Sequence, residues 1–107
     1  MKTISAPVLA QWLQDKERPQ PRLLDVRGPW EFQICQIRGS ELVPMRALPA
    51  RVDEFDPQQP LVCICHLGGR SAQVATWLSR QGFADVYNLS GGVDAWARQV
   101  DPEMATY

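Results

Sequence analysis

The seven residues at positions 65–71, Cys-His-Leu-Gly-Gly-Arg-Ser, have the composition and spacing of a loop that activates a cysteine. Residues 60–64 form an apolar run typical of a strand, and residues 71–80 follow a helical pattern. Glycines let successive backbone N–H groups turn inward, and a helix N-terminus adds partial positive charge. Both features favour the thiolate, which is the nucleophilic form of cysteine. We therefore expect Cys65 to be a nucleophile.

The elements that must position this loop alternate between strand-like and helical patterns, which is typical of an α/β domain built on a parallel sheet. In such sheets, ligand sites lie beyond the carboxyl ends of the strands. Asp25, Arg27, Cys65 and the pair Gly91 and Gly92 all follow expected strands, so we expect them to meet at one edge. The expected strands are 3–5, 22–27, 41–44, 61–64 and 85–89, and the expected helices are 7–13, 30–35, 47–55, 71–80 and 93–100.

The composition predicts one domain, residues 1–107, with a frayed tail at about 101–107. A hydrophobic fraction of 45% is ordinary for a globular protein, and a net charge of −1 argues against a broad electrostatic surface for nucleic acid or anionic lipid. Three irregularly spaced cysteines cannot form a closed set of disulfides, which favours a reducing compartment. With no long apolar segment for secretion or membrane insertion, we expect a cytoplasmic protein.

Three ordered motifs carry a resemblance to a known family. Residues 65–71 resemble the active-site loop of the rhodanese family of sulfurtransferases, whose pattern is close to Cys-x-x-Gly-x-Arg-Ser. Residues 25–32 resemble that family's Asp-Val-Arg-x-x-x-Glu-Phe segment, and residues 91–96 resemble its closing Gly-Gly-x-x-x-Trp segment. The resemblance covers nearly the whole chain. It implies a three-layer α/β fold with a central, mostly parallel five-stranded sheet and helices on both faces.

One segment departs from the family pattern. The family usually has Gly-His-Ile-Pro-Gly-Ala after the Glu-Phe pair, whereas this chain has Cys35, Gln36 and Arg38 in place of the glycine, histidine and proline. That segment is more often architectural than catalytic in the family. The departure therefore puts the local packing in question more than the reaction.

The resemblance implies a sulfurtransferase that moves a sulfane sulfur through a Cys65 persulfide, without a cofactor or a metal. A small anionic donor such as thiosulfate would load Cys65, and a thiol, a protein or, in an assay, cyanide would accept the sulfur. Backbone N–H groups would hold the terminal sulfur as an oxyanion hole holds oxygen, and Arg70 would attract the donor. The loop residues expected to bind the substrate are His66, Leu67, Gly68, Gly69, Arg70 and Ser71.

Five residues outside the loop are expected to support it. We favour a scaffolding role for Asp25, Arg27 and Glu31 over direct catalysis, since residues at strand ends and in the following turns commonly tie loops together. Gly91 and Gly92 are expected to permit a close approach of the backbone beside the loop.

Four residues have alternatives that the sequence leaves open. Cys65 could be a small buried hydrophobe, although the glycines and the arginine after it argue against this. His66, the only histidine, could be a general base or a contact at the rim of the site. Cys63 would face the same way as Cys65 on a strand and could act as a resolving thiol, although packing is favoured. For Cys35 we also favour packing.

Three other functions remain open. Cysteine-dependent phosphatases and arsenate reductases place five residues between cysteine and arginine, whereas this chain has four between Cys65 and Arg70. A zinc site at Cys35, Cys63, Cys65 and His66 has poor ligand spacing. A non-enzymatic recognition module is the remaining alternative, but inactive rhodanese-like domains usually lack the cysteine.

Overall fold

Five short strands form one parallel sheet in the computed structural model, which describes all residues 1–107. The strands are β1 (Lys2–Ile4), β2 (Arg22–Asp25), β3 (Glu41–Leu42), β4 (Leu61–Ile64) and β5 (Val86–Leu89), in the spatial order β1-β5-β4-β2-β3. Every neighbouring pair is parallel. All four residues of the central strand β4 are buried, which agrees with its continuous apolar sequence. The predicted α/β fold is confirmed.

Helices cover both faces of this sheet. They are α1 (Ala6–Gln14), α2 (Pro29–Ile34), α3 (Leu48–Arg51), α4 (Gly69–Arg80) and α5 (Gly92–Gln99). One core cluster of 13 buried residues packs α3 and α4 against the sheet. A second cluster of 12 buried residues packs α1 and α5 against the opposite face. The sheet therefore separates two apolar layers, and the loops at its carboxyl edge lie where both layers end.

Several element boundaries differ from the sequence predictions. The helix expected at 47–55 divides into α3 and a 3₁₀ turn, Val52–Glu54, because the Phe55 N–H bonds to the Val52 carbonyl three residues earlier. Strand β2 ends at Asp25 rather than at residue 27, and β3 ends at Leu42, two residues before Pro44. Helix α4 begins two residues earlier than expected, at Gly69. These shifts leave the order of the elements unchanged.

Residues 101–107, expected to be frayed, instead fold back against the domain. The Met104 N–H donates to the Asp101 carbonyl at 3.0 Å, and the side chains of Met104 and Tyr107 pack against the second core cluster. This return of the chain brings Tyr107 to the carboxyl edge of the sheet, where it contacts His66. Sequence patterns could not show this because the tail has neither helical nor strand periodicity.

None of the helices is both long enough and apolar enough to span a bilayer.

Candidate active site

Cys65 lies directly after β4, with its sulfur enclosed by the turn that leads into α4. The residue is 1% exposed. Its Sγ accepts a hydrogen bond from the Gly68 N–H at 3.1 Å and another from the Ser71 hydroxyl at 3.2 Å. Gly68 has φ +107°, a left-handed conformation that favours glycine, and it turns the chain so that its N–H points back to the sulfur. One main-chain donor and one side-chain donor are therefore directed at the sulfur.

The Ser71 hydroxyl is shared between Cys65 and Asn88. Asn88 is a buried residue of β5, and its side-chain oxygen also lies within hydrogen-bond distance of the Ser71 hydroxyl. Its amide nitrogen donates to the Gly68 carbonyl at 3.1 Å, which fixes the orientation of the amide. Because a hydroxyl carries one proton, Ser71 donates either to the sulfur or to Asn88. A thiolate at Cys65 attracts that proton, and a thiol leaves it to Asn88.

Helix α5 fixes the other side of the loop through its first turn. The Val93 N–H donates to the Cys65 carbonyl at 2.9 Å, and the Asp94 N–H donates to the His66 carbonyl at 3.2 Å. A Cβ placed on Gly92 would lie 2.4 Å from the Cys65 carbonyl oxygen and 2.3 Å from that of His66, so only glycine fits. These contacts hold the loop carbonyls towards α5. At Gly92 the main chain of α5 therefore lies directly against the main chain of the loop.

Arg70 forms an ion pair with Glu31 across the mouth of the site. Its two terminal nitrogens donate to the two carboxylate oxygens of Glu31, each at 2.8 Å. The Arg70 side chain is 42% exposed, whereas that of Glu31 is 7% exposed. The hydrogen bonds from Arg70 lower the pKa of Glu31 to about 2, with smaller contributions from Tyr107 and the Gly28 N–H. Sequence reasoning expected Arg70 to attract an anion, but it did not predict this pairing.

A second ion pair, between Asp25 and Arg27, is fully buried behind the first. The Arg27 Nη2 lies 2.8 Å from the Asp25 Oδ2, and both side chains are 0% exposed. Burial lowers the pKa of Arg27, but hydrogen bonds with Asp25 and Tyr107 outweigh it and leave the pKa above its usual value. Arg27 also donates to the Cys35 carbonyl at 2.6 Å, which ties β2 to the end of α2. The scaffolding role of Asp25 and Arg27 stays a prediction.

The His66 ring contacts the returning tail. It stacks on the Tyr107 ring with centroids 4.0 Å apart and planes inclined by 12°, and its Nε2 lies 2.9 Å from the Tyr107 main-chain oxygen. One ring nitrogen is therefore engaged by the tail, which supports a contact at the rim over a general base.

The other two cysteines lie in the core. Cys63 is fully buried in the same cluster as Cys65, and burial raises the pKa of the Cys63 thiol to about 12, with a smaller contribution from Cys65. A thiol with that pKa is protonated at neutral pH, which argues against a resolving role. Cys35 lies in the cluster on the opposite face of the sheet. The ligands of the zinc alternative are thus divided between two layers, and no three acidic, histidine or cysteine side chains converge.

Two residues at the site were missed by sequence reasoning. Asn88 could have been noticed, because an amide inside the apolar strand β5 needs hydrogen-bond partners. Tyr107 carried no such signal. Its partners Arg27 and His66 are 80 and 41 positions away in the chain.

The largest surface groove, about 750 Å³, lies away from this loop. It runs between α1 and α5 beside residues 36–39 and includes none of residues 65–71. Close to the loop the exposed apolar side chains are Leu67, which is 62% exposed, and Trp30, which is 63% exposed and packs edge-on against Tyr107. The exposed surface beside the Cys65 loop, which we call the mouth of the site, is therefore partly apolar.

Comparison with known proteins agrees with this arrangement. The family model described as "Rhodanese-like domain" matches residues 5–99. The chain belongs to the rhodanese-like family. The match covers Cys65, both ion pairs and the first turn of α5, so the resemblance of the three sequence motifs is confirmed.

Relatives of this rhodanese-like chain include enzymes named for sulfur transfer. A "Sulfurtransferase" of Allochromatium vinosum is 36% identical, with 95% of this chain and 94% of that protein covered. "Thiosulfate sulfurtransferase GlpE" of Pseudomonas aeruginosa is 35% identical, with 76% and 73% covered. A crystal structure of a rhodanese-like domain protein from Staphylococcus aureus superposes with a TM-score of 0.83 at 29% identity, covering 100% and 99%. These names support sulfurtransferase activity at the level of the family.

Other curated relatives are longer. The chain spans 38% of the length of one and 27% of another, although each matches at least 98% of this chain.

Proposed function

We propose that this chain is a sulfurtransferase in which Cys65 carries a sulfane sulfur as a persulfide, from an anionic donor such as thiosulfate to a thiophilic acceptor. The observation that carries the proposal is the environment of the Cys65 Sγ. This sulfur accepts one hydrogen bond from a main-chain N–H and one from a hydroxyl at the N-terminus of α4. The carbonyls of the same loop accept hydrogen bonds from the first turn of α5. The relatives named sulfurtransferase support it.

The first step would load the cysteine. The Cys65 thiolate attacks the outer sulfur of thiosulfate, forming a sulfur–sulfur bond to Cys65. The bond between the two thiosulfate sulfurs breaks, and sulfite leaves with its electron pair. The donors from Gly68 and Ser71 point at the Cys65 Sγ, so they stabilise the negative charge that this sulfur carries before the attack and regains when the persulfide is cleaved. Removing one donor of this kind commonly slows a reaction by roughly a hundredfold or more.

The second step would return the enzyme to its starting state. An acceptor such as cyanide or a thiolate attacks the outer sulfur of the persulfide, and the sulfur–sulfur bond breaks with its electron pair returning to the Cys65 Sγ. With cyanide the product is thiocyanate. No electron or proton is gained or lost by the protein over the cycle, so the residues described above suffice for it.

The pairing of Arg70 favours sulfur transfer over phosphate chemistry. Both terminal guanidinium nitrogens donate to Glu31, so the cation is already paired at the mouth of the site. A bidentate clamp on a tetrahedral oxyanion would need those same nitrogens. Transfer of a single sulfur needs only attraction of the donor.

Intact-protein mass after incubation with thiosulfate tests the proposal. We expect the native chain to gain one sulfur atom and to lose it when cyanide is added. Cys65→Ser should gain none, whereas the matched control Cys35→Ala, which removes a different buried thiol, should still gain it. A native protein that never gains sulfur would contradict the proposal and favour a recognition module.

A further inference from the structure

Tyr107 joins two elements of the site that are distant in the chain. Its ring stacks on His66 in the loop after β4, and it packs edge-on against Trp30 at the start of α2, with ring centroids 5.8 Å apart. The residue lies outside the region, residues 5–99, that the family model matches. These contacts place the C-terminal segment, residues 101–107, against both the loop after β4 and the start of α2.

The Tyr107 hydroxyl connects the two ion pairs. It accepts a hydrogen bond from the Arg27 Nη1 at 2.9 Å and donates to the Glu31 Oε2 at 2.7 Å. The same Oε2 accepts from the Arg70 Nη2 at 2.8 Å. A continuous polar path therefore runs from the buried Asp25 through Tyr107 to the exposed Arg70.

We propose that Tyr107 is a positioning residue that sets how strongly Arg70 attracts the anionic sulfur donor. The identity of the donor rests on the proposed function; the effect on Arg70 does not.

The argument concerns the charge on Glu31. Its carboxylate accepts four donors, two from Arg70, one from the Gly28 N–H at 3.1 Å and one from the Tyr107 hydroxyl. Each donor withdraws part of the negative charge. Without the hydroxyl, the carboxylate cancels more of the positive potential of Arg70. An anion in solvent experiences this change in potential because the Arg70 side chain is 42% exposed, although that of Glu31 is almost covered.

The hydroxyl is available as a donor throughout the neutral pH range. Burial raises the pKa of Tyr107 to about 12, with the hydrogen bond to Glu31 adding to it and that from Arg27 opposing it. The effect of Tyr107 on Arg70 should therefore not vary with pH between about 6 and 9.

Tyr107→Phe tests the proposal because it removes only the hydroxyl and keeps the ring that stacks on His66. We expect the KM for thiosulfate to rise roughly threefold to tenfold, because only part of the effect of a hydrogen bond to a charged group reaches Arg70 through Glu31, with kcat changing less than about twofold. Tyr87→Phe is the matched control. The Tyr87 hydroxyl accepts from Lys2 at 3.3 Å, and its removal should change neither constant.

A second measurement does not depend on sulfur transfer. Iodoacetate and iodoacetamide alkylate a thiolate by the same reaction but differ in charge, and peptide mass reports the rate at Cys65. In Tyr107→Phe we expect the ratio of the iodoacetate rate to the iodoacetamide rate to fall roughly threefold to tenfold, in parallel with the KM.

The outcomes separate the two proposals. If the native protein transfers no sulfur but the alkylation ratio still falls in Tyr107→Phe, the positioning role stands and the proposed function fails. If the ratio is the same as in the native protein and in Tyr87→Phe, the positioning role is overturned whatever the transfer rate. Thermal unfolding of each variant verifies that the ratios refer to folded protein.

Discussion

Substituting Gly92 by alanine should both destabilise the domain and displace the cysteine loop. The new Cβ would lie 2.3 Å from the His66 carbonyl oxygen, and opening that contact to 3.0 Å requires a shift of about 0.7 Å. The shift weakens the hydrogen bonds from Val93 and Asp94 to the loop carbonyls. A displacement of this size in a reacting geometry can slow a reaction by roughly a hundredfold.

The decrease in the free energy of unfolding that Gly92→Ala causes has two parts. Gly92 has φ +61°, and an L-residue in the left-handed region costs about 1–2 kcal/mol. Two weakened hydrogen bonds cost about 0.5–1.5 kcal/mol each. We therefore expect a loss of about 2–5 kcal/mol in total. A domain near the middle of the usual stability range of about 5–15 kcal/mol should still fold after this loss.

Gly82→Ala is the matched control for this prediction. Gly82 also has positive φ, +96°, but an added Cβ would meet nothing within 4 Å. It should show the conformational loss alone, about 1–2 kcal/mol, and an unchanged rate of sulfur transfer. The assays are urea unfolding and the thiosulfate:cyanide reaction. Equal losses of stability and equal rates in the two variants would refute the claim that α5 positions the loop.

Three further predictions concern the site. Ser71→Ala should slow sulfur transfer by roughly a hundredfold, because the Cys65 Sγ keeps only the Gly68 donor; an unchanged kcat would contradict this. The pKa of Glu31 is lowered to about 2, so its pairing with Arg70 should stabilise the protein above about pH 4.3 and stop doing so as the pH falls towards 2. The difference in the free energy of unfolding between the native protein and Glu31→Gln should therefore shrink over that range. Iodoacetamide at pH 8 should label Cys65 but not Cys63, whose pKa is raised to about 12, and peptide mass would show any labelling of Cys63.

Much of the fold was predictable because its signals are local. The four apolar residues of β4 are buried on both faces, and their boundaries match the prediction without change. The three family motifs lie at or close to the carboxyl ends of strands, where a parallel sheet brings side chains together. The structure accordingly places Cys65, Arg27 and Gly92 at one edge, although their roles remain predictions.

The parts that were not predictable depend on contacts between remote residues. Whether Arg70 is free or paired depends on Glu31, which is 39 positions earlier in the chain. The position of Tyr107 depends on aromatic packing against His66 and Trp30, which no periodicity reveals. The division of the helix at 47–55 depends on a local choice between two hydrogen-bond patterns that apolar spacing does not distinguish.

Because α5 holds the loop by its main chain, the residues that surround the sulfur differ from the residue that faces solvent. The atoms that surround the sulfur are the Gly68 N–H and the Ser71 hydroxyl, and the main-chain carbonyls of Cys65 and His66 are anchored by α5. The Leu67 side chain takes no part in this and is 62% exposed. Substitutions at position 67 can therefore alter which molecule docks at the mouth while the reacting sulfur keeps its surroundings. Position 67 can therefore vary in size and polarity without a change in the hydrogen bonds at the sulfur.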